Sequence, residues 1–214
     1  MDRHVRELSP ELERVVFFSD AVFAIAITLM VIELRIPDGV TPSELPDALR
    51  DLSPRYFSFL ISFAVIGVFW MGHYRMFRFI RGWDHGLLLF NLLFLLTIAF
   101  LPFPTSLIGR FSETQVATTI YSASVLGCAI AGVLLWWYAS TGRRLLAPDV
   151  PHETIRTVRV GGMSVALVFV IALVVSFFSP SVASLIWWLA FPTRWVVGKM
   201  LSGPGRREVP PNVV

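Results

Sequence analysis

With 214 residues, 55% of them hydrophobic and only 15% charged, the chain is too apolar for a soluble domain of its size and reads as a polytopic membrane protein. The net charge of +3 comes from bases that punctuate hydrophobic stretches instead of covering one soluble face, so membrane topology explains them better than nucleic acid does. Cys128 is the one cysteine and lies in an apolar segment, which excludes a disulfide within the chain and a thiolate metal cage.

Residues 1 to 13 read as a polar cytoplasmic lead without a signal-peptide pattern, in which Ser9 and Pro10 are a cap-then-proline helix start. The first span runs from Arg14 to about Leu34, with Ser19 and Asp20 inside its beginning and Glu33 near its end. Ionisable groups in such a run mark function by default, because each needs a partner in hydrocarbon. At about 100° per residue, Phe18, Ala21, Thr28, Leu29 and Ile32 fall on the side of Ile25, and Asp20 points elsewhere. That face is aliphatic with one hydroxyl; spacing alone equally suits lipid contact or ordinary helix packing.

Thr41 to Glu44 is a capping-box pattern that opens a short interfacial helix, and Ser53-Pro54 repeats the cap-then-proline start before span two, Tyr56 to about Ile80. Arg75, Arg78 and Arg81 with Trp83 mark where that span leaves the membrane. Span three covers Leu87 to about Leu101; Pro102 and Pro104 are expected to break it, and Arg110 to Gln115 to form a polar turn. Span four, Val116 to Tyr138, carries Ala123, Gly127 and Ala131 at a spacing that suits close helix approach. A polar loop is expected from Ser140 to Arg159, then span five from Val160 to Phe178 and span six from Val182 to about Val197, giving a single domain over 1–200 and a disordered tail over 201–214. The seven tryptophans read mostly as interfacial anchors.

Six spans put both termini on one side. That side carries fourteen bases (Arg3, Arg6, Arg14, Arg75, Arg78, Arg81, Arg143, Arg144, Arg156, Arg159, Arg194, Lys199, Arg206 and Arg207) against four on the other (Arg35, Arg50, Arg55 and Arg110), which predicts both termini in the cytoplasm.

Asp20, His73 and Asn91 share one depth in spans one, two and three. They form either an ion- or proton-binding cluster or a buried hydrogen-bond lock with Ser19 and Trp70 as further partners; the lock is favoured because Asp20 points away from the Ile25 face. Glu33 and Asp38 either draw cations to an outer vestibule or are a solvated helix end. His85 beside Asp84 reads as a surface pair, and no glycine-rich phosphate loop, metal-ligand spacing or nucleophile triad occurs.

Arg14, Phe18, Ser19 and Asp20 spell R-x-x-x-F-S-D at the head of an apolar helix, Trp70 and His73 spell W-x-x-H, and Leu101 to Thr105 read L-P-F-P-T. Together they resemble the transmembrane protein 175 family, the endolysosomal potassium channels and their prokaryotic relatives. The resemblance implies an all-α membrane protein with six helices, the first lining the pore; a passive potassium channel and not an enzyme, without a cofactor and with potassium as the permeant ion; and a motif network of Arg14, Phe18, Ser19, Asp20, Trp70, His73 and Asn91 that organises the bundle. Animal members carry two six-helix units and this chain one, which implies a homotetramer in lipid, expected in the inner membrane of a prokaryote. On that reading Ile25 forms the constriction, Thr28 a hydroxyl ring and the selectivity candidate, and Leu29 and Ile32 further apolar layers of the gate; the alternative for Thr28 is a hydroxyl bonded to its own helix at the Ala24 carbonyl. The alternatives are a secondary transporter with a midplane site at Asp20, His73 and Asn91 and, more remotely, an intramembrane enzyme using Asp20 and His73.

Overall fold

The computed structural model describes residues 9–111 and 114–190. The polar lead before Ser9, the second half of the expected sixth span and the expected tail lie outside the described residues.

Helix α1 (Pro10–Leu29) begins as its sequence dictates. The Ser9 hydroxyl accepts the Leu12 N–H at 3.3 Å, Pro10 needs no N–H partner at the first position, and Glu11 and Glu13 complement the helix N-terminus. A single 3-10 turn, Met30–Glu33, carries it to its outer end. Its buried side chains, Leu12, Ser19, Phe23, Ala26 and Met30, recur at helical spacing and leave the opposite stripe uncovered.

Short α2 (Leu45–Asp51) follows a turn in which the Glu44 carboxylate accepts both the Thr41 N–H at 2.9 Å and the Thr41 hydroxyl at 2.7 Å. Thr41 donates here where a capping box would have it accept, so the box is only half formed. Helix α3 (Ser53–Phe77) takes Leu52 as its cap residue, not Ser53; Ser53 is already inside the helix with Pro54 in the first turn.

Helices α4 (His85–Phe100) and α5 (Pro102–Phe111) correct the expectation of a break at the prolines. Leu101 keeps right-handed helical geometry between them, and together they form one apolar rod, His85–Phe111. Pro102 and Pro104 sit in the first turn of α5, where a missing N–H costs little. The expected polar turn from Arg110 is therefore helical as far as Phe111.

Helix α6 (Gln115–Ser140) is the central one, packing on α3, α4, α5, α7 and α8. Of the expected small-residue stripe only Ala131 is buried; Ala123 is exposed, and an added side-chain carbon at Gly127 would meet nothing within 4 Å. Close approach occurs instead at Gly162 of α7 (His152–Ser176), where such a carbon would lie 2.9 Å from Val133. Because α7 starts at His152, the second half of the expected polar loop is helical. Helix α8 (Pro180–Trp187) is capped by Ser179, whose hydroxyl accepts the Val182 N–H at 3.4 Å.

Among the described residues five helices are long and apolar enough to cross a membrane. Two tryptophans are core residues and not anchors: Trp136 donates to the Ile155 carbonyl at 3.1 Å and Trp187 to the Ser122 hydroxyl at 3.0 Å.

The two ends of the bundle differ in charge. At one, the chain after α3 pairs with the chain after α6: Arg81 N–H donates to the Leu145 carbonyl at 2.8 Å and Ala147 N–H to the Phe79 carbonyl at 2.9 Å, around an antiparallel bridge of Ile80 and Leu146. That pairing brings the Arg75–Arg81 ladder and Arg143–Arg144 to one end.

Candidate functional site

The polar residues of the first three spans meet in the core. Buried Ser19 donates its hydroxyl hydrogen to the Val15 carbonyl at 2.7 Å and accepts from the Asn91 amide nitrogen at 3.0 Å; the Asn91 carbonyl lies 2.9 Å from His73 Nε2. An amide oxygen only accepts, so Nε2 carries the hydrogen. His73 is held between aromatic rings, stacked on Phe77 at 4.2 Å and on Phe94 at 5.9 Å with Phe23 at 5.7 Å. Helices α1, α3 and α4 are thus tied by one line of hydrogen bonds inside an apolar sleeve.

Asp20 departs from the expected arrangement, in which it is the partner of His73 or Asn91. It accepts the Trp70 indole N–H at 2.8 Å instead, at the half-buried edge of the same α1–α3 contact. The reason is rotation: Ser19 occupies the position that faces the core, so its neighbour Asp20 is turned about 100° away toward α3. Arg14 and Phe18 are exposed, on the uncovered side of α1.

The remaining α1 residues singled out by sequence lie on that uncovered side as well. Phe18 is 52%, Ile25 57%, Leu29 45% and Ile32 46% exposed, and Thr28 is exposed between them. The Thr28 hydroxyl lies 2.9 Å from the Ala24 carbonyl and 3.0 Å from the Ile25 carbonyl. It has one hydrogen, which is committed to its own helix, so the oxygen presents only lone pairs to anything outside.

Glu33 is not a free carboxylate. At the outer end of α1 it accepts from the Ser106 hydroxyl at 2.9 Å and pairs with Arg110 at 2.8 Å, so α5 neutralises its charge, whereas Asp38 is exposed.

Several polar links have no counterpart in the sequence reading. Thr105 donates to the Ser62 hydroxyl at 2.9 Å, which lies 3.1 Å from the Tyr121 hydroxyl, joining α5, α3 and α6. At the basic end Asp84 caps α4 by accepting the Leu87 N–H at 2.8 Å, then accepts from Tyr138 at 3.0 Å and Arg144 at 2.8 Å. The backbone N–H of Leu87 is the largest cause holding its carboxyl below the usual aspartate range, with Tyr138 and Arg144 adding to it. Gly86 makes this possible, since an added side-chain carbon there would lie 2.0 Å from the Tyr138 hydroxyl. The adjacent Asp84 and His85 suggest a local surface pair, whereas besides the Leu87 N–H the partners of Asp84, Tyr138 and Arg144, come from more than fifty residues away. The residues flanking Asp84 in the chain carry no sign of that.

Among the described residues no group of three or more metal-ligating side chains gathers.

The family described as endosomal/lysosomal potassium channel TMEM175 matches residues 14–102. A potassium channel of Streptomyces collinus is 34% identical over 151 residues, 69% of this chain and 73% of that protein. A potassium channel of Chamaesiphon minutus is 40% identical over 149 residues, 67% of this chain and 73% of that one. In three dimensions, the crystal structure of a lysosomal potassium-selective channel TMEM175 homologue from Chamaesiphon minutus superposes with a TM-score of 0.77 at 32% identity, covering 88% of this chain and 99% of that one.

Proposed function

Because this chain belongs to the TMEM175 family, we propose that it conducts potassium passively through a pore lined by the exposed stripe of α1, one copy from each of four subunits. The protein is a potassium channel of this family and not an enzyme. The observation that carries the pore reading is α1 itself: its inward stripe is consumed by packing on α3 and α4, yet its outward stripe is uncovered and carries Ile25, Thr28, Leu29 and Ile32 in register.

In this arrangement Ile25 is the constriction. It lies eleven residues past Arg14, about 16 Å along the helix and near the middle of a hydrocarbon core about 30 Å thick. A ring of branched apolar side chains there closes the pore sterically and strips an ion of hydration with nothing polar to replace it. Thr28 supplies the one oxygen ring just outside the constriction, and Leu29 and Ile32 extend the apolar lining further outward.

The buried Ser19–Asn91–His73 line and the Asp20–Trp70 bond are the lock that holds α1 against α3 and α4, so that the stripe faces the axis. Asp20 has its carboxylate engaged by Trp70 on the α3 side. The excess of bases at one end of the bundle supports the reading that this end faces the cytoplasm of a prokaryotic cell, by the positive-inside rule.

Single-channel recording of Ile25→Asn beside Val31→Asn tests the pore. Wetting the constriction is expected to raise current only for Ile25→Asn; Val31 is also exposed on α1 but well off the Ile25 direction. Equal behaviour of the two variants rejects the assignment. Unitary currents in the wild type separate a channel from a secondary transporter with a midplane site at Asp20, His73 and Asn91.

A further inference from the structure

Helices α3, α6 and α7 leave a crevice of about 60 Å³ toward the basic end of the bundle, with Phe94 of α4 at its back. On α7 it follows Val158, Gly161, Gly162 and Val165, one stripe of the helix about 10 Å long. The two glycines act differently. Gly162 brings α7 onto Val133, whereas Gly161 is buried and yet an added side-chain carbon would meet nothing within 4 Å. Gly161 therefore holds the crevice open. Val68, Val133 and Val158 on its rim are only half-buried, so it reaches the lipid-facing surface.

The one charged residue in the wall is Arg159. Its terminal NH2 donates to the Ser140 hydroxyl at 3.2 Å, but its Nε is shut off from solvent and has no acceptor. Arg159 as a whole is only half-buried, so an anionic oxygen can approach its under-satisfied guanidinium at the crevice wall, and arginine matches phosphate geometry. Arg156, one turn nearer the helix start, is exposed on the same end.

We propose that this crevice binds one anionic membrane phospholipid, an acyl chain lying along Val158, Gly161 and Val165 and the phosphate on Arg159. Apolar length and a single cation at one end are the chemistry of a phospholipid, and basic pockets between spanning helices recognise such headgroups. The site is separate from the α1 stripe and holds whether or not that stripe lines a pore.

The test is native mass spectrometry of the full chain in detergent with added dioleoyl-phosphatidylglycerol or dioleoyl-phosphatidylcholine. Wild type is expected to retain one phosphatidylglycerol per chain, roughly fivefold tighter than phosphatidylcholine. Arg159→Gln is expected to erase that preference while still binding lipid, and Gly161→Leu to lose both lipids with the thermal midpoint kept. If Gly161→Leu fails to fold, Val158→Phe fills the same slot and is read the same way. Wild-type retention in the filled variant, as for a general lipid shell or a crevice covered by a second copy, overturns the site. A phosphatidylglycerol preference that survives Arg159→Gln overturns the phosphate contact.

Discussion

Asn91 is the residue on which the inner lock depends, because it alone bonds both neighbours, accepting from His73 and donating to Ser19. Asn91→Ala orphans the buried His73 Nε2–H and leaves Ser19 only its bond to the Val15 carbonyl, at a cost of about 1 to 3 kcal/mol. The expected outcome is a lower thermal midpoint and a smaller yield of assembled protein, with the potassium to sodium permeability ratio of the surviving channels kept; a shifted ratio at normal stability would place Asn91 in the conduction path. Thr28→Ala is expected to do the reverse, lowering that ratio with the fold intact, since its oxygen presents lone pairs outward while its hydrogen stays on the helix. An unchanged ratio in bilayer recordings removes Thr28 from selectivity. The sequence already placed Asp20, His73 and Asn91 at one depth, with Ser19 and Trp70 as further partners, because rise per residue is fixed in a helix. It did not distribute the bonds among them: whether Ser19 or Asp20 faces Asn91 depends on the rotation of α1, which packing decides.

At the scale of elements, span positions follow from hydropathy, whereas ends follow from hydrogen bonds that hydropathy does not see. Pro102 and Pro104 read as a break, yet a proline in the first turn of a helix has no bond to lose, and α4 and α5 run on as one rod. The Asp84 clamp that joins the start of α4 to the end of α6 was likewise invisible, since it pairs Asp84 with Tyr138 and Arg144. Its pH dependence has a definite sign. The folded carboxyl is held below the ordinary aspartate value of 3.8, so the clamp stabilises fully above that value and its contribution fades as pH falls through the folded pKa. The thermal midpoint of Asp84→Asn is therefore expected to sit below wild type by a constant margin from about pH 5 to 8, closing below about pH 4. A margin that varies between pH 6 and 8 would mean that another group controls the clamp.

For the whole molecule, the asymmetry of α1 is what calls for company. One stripe is fully committed to the core while Phe17, Phe18, Ile25, Leu29 and Ile32 are uncovered, and the chain by itself encloses no axis with them. A ring of four copies is the expected closed form. Mass measurement of the purified channel in mild detergent is expected to give four times the 24.0 kDa chain; a monomer that still conducts would require a pore within one chain. Legibility falls off at this scale. Exposed apolar side chains facing lipid and those facing another copy of α1 have the same composition, so copy number came only from the motif resemblance.

The Ser19–Asn91–His73 bonds all run in one direction. Each hydrogen points the same way, from the imidazole to the amide, from the amide to the hydroxyl, and from the hydroxyl to the Val15 carbonyl. A relay of the Grotthuss kind needs every link to accept a hydrogen on one side as it releases one on the other, and then to turn round. The Asn91 amide accepts on oxygen and donates from nitrogen without exchanging between them, and the line ends on a peptide carbonyl that has nothing to pass on. This chain of bonds is therefore an insulator for hydrogen ions, and any such current through the protein has to travel with water along another route.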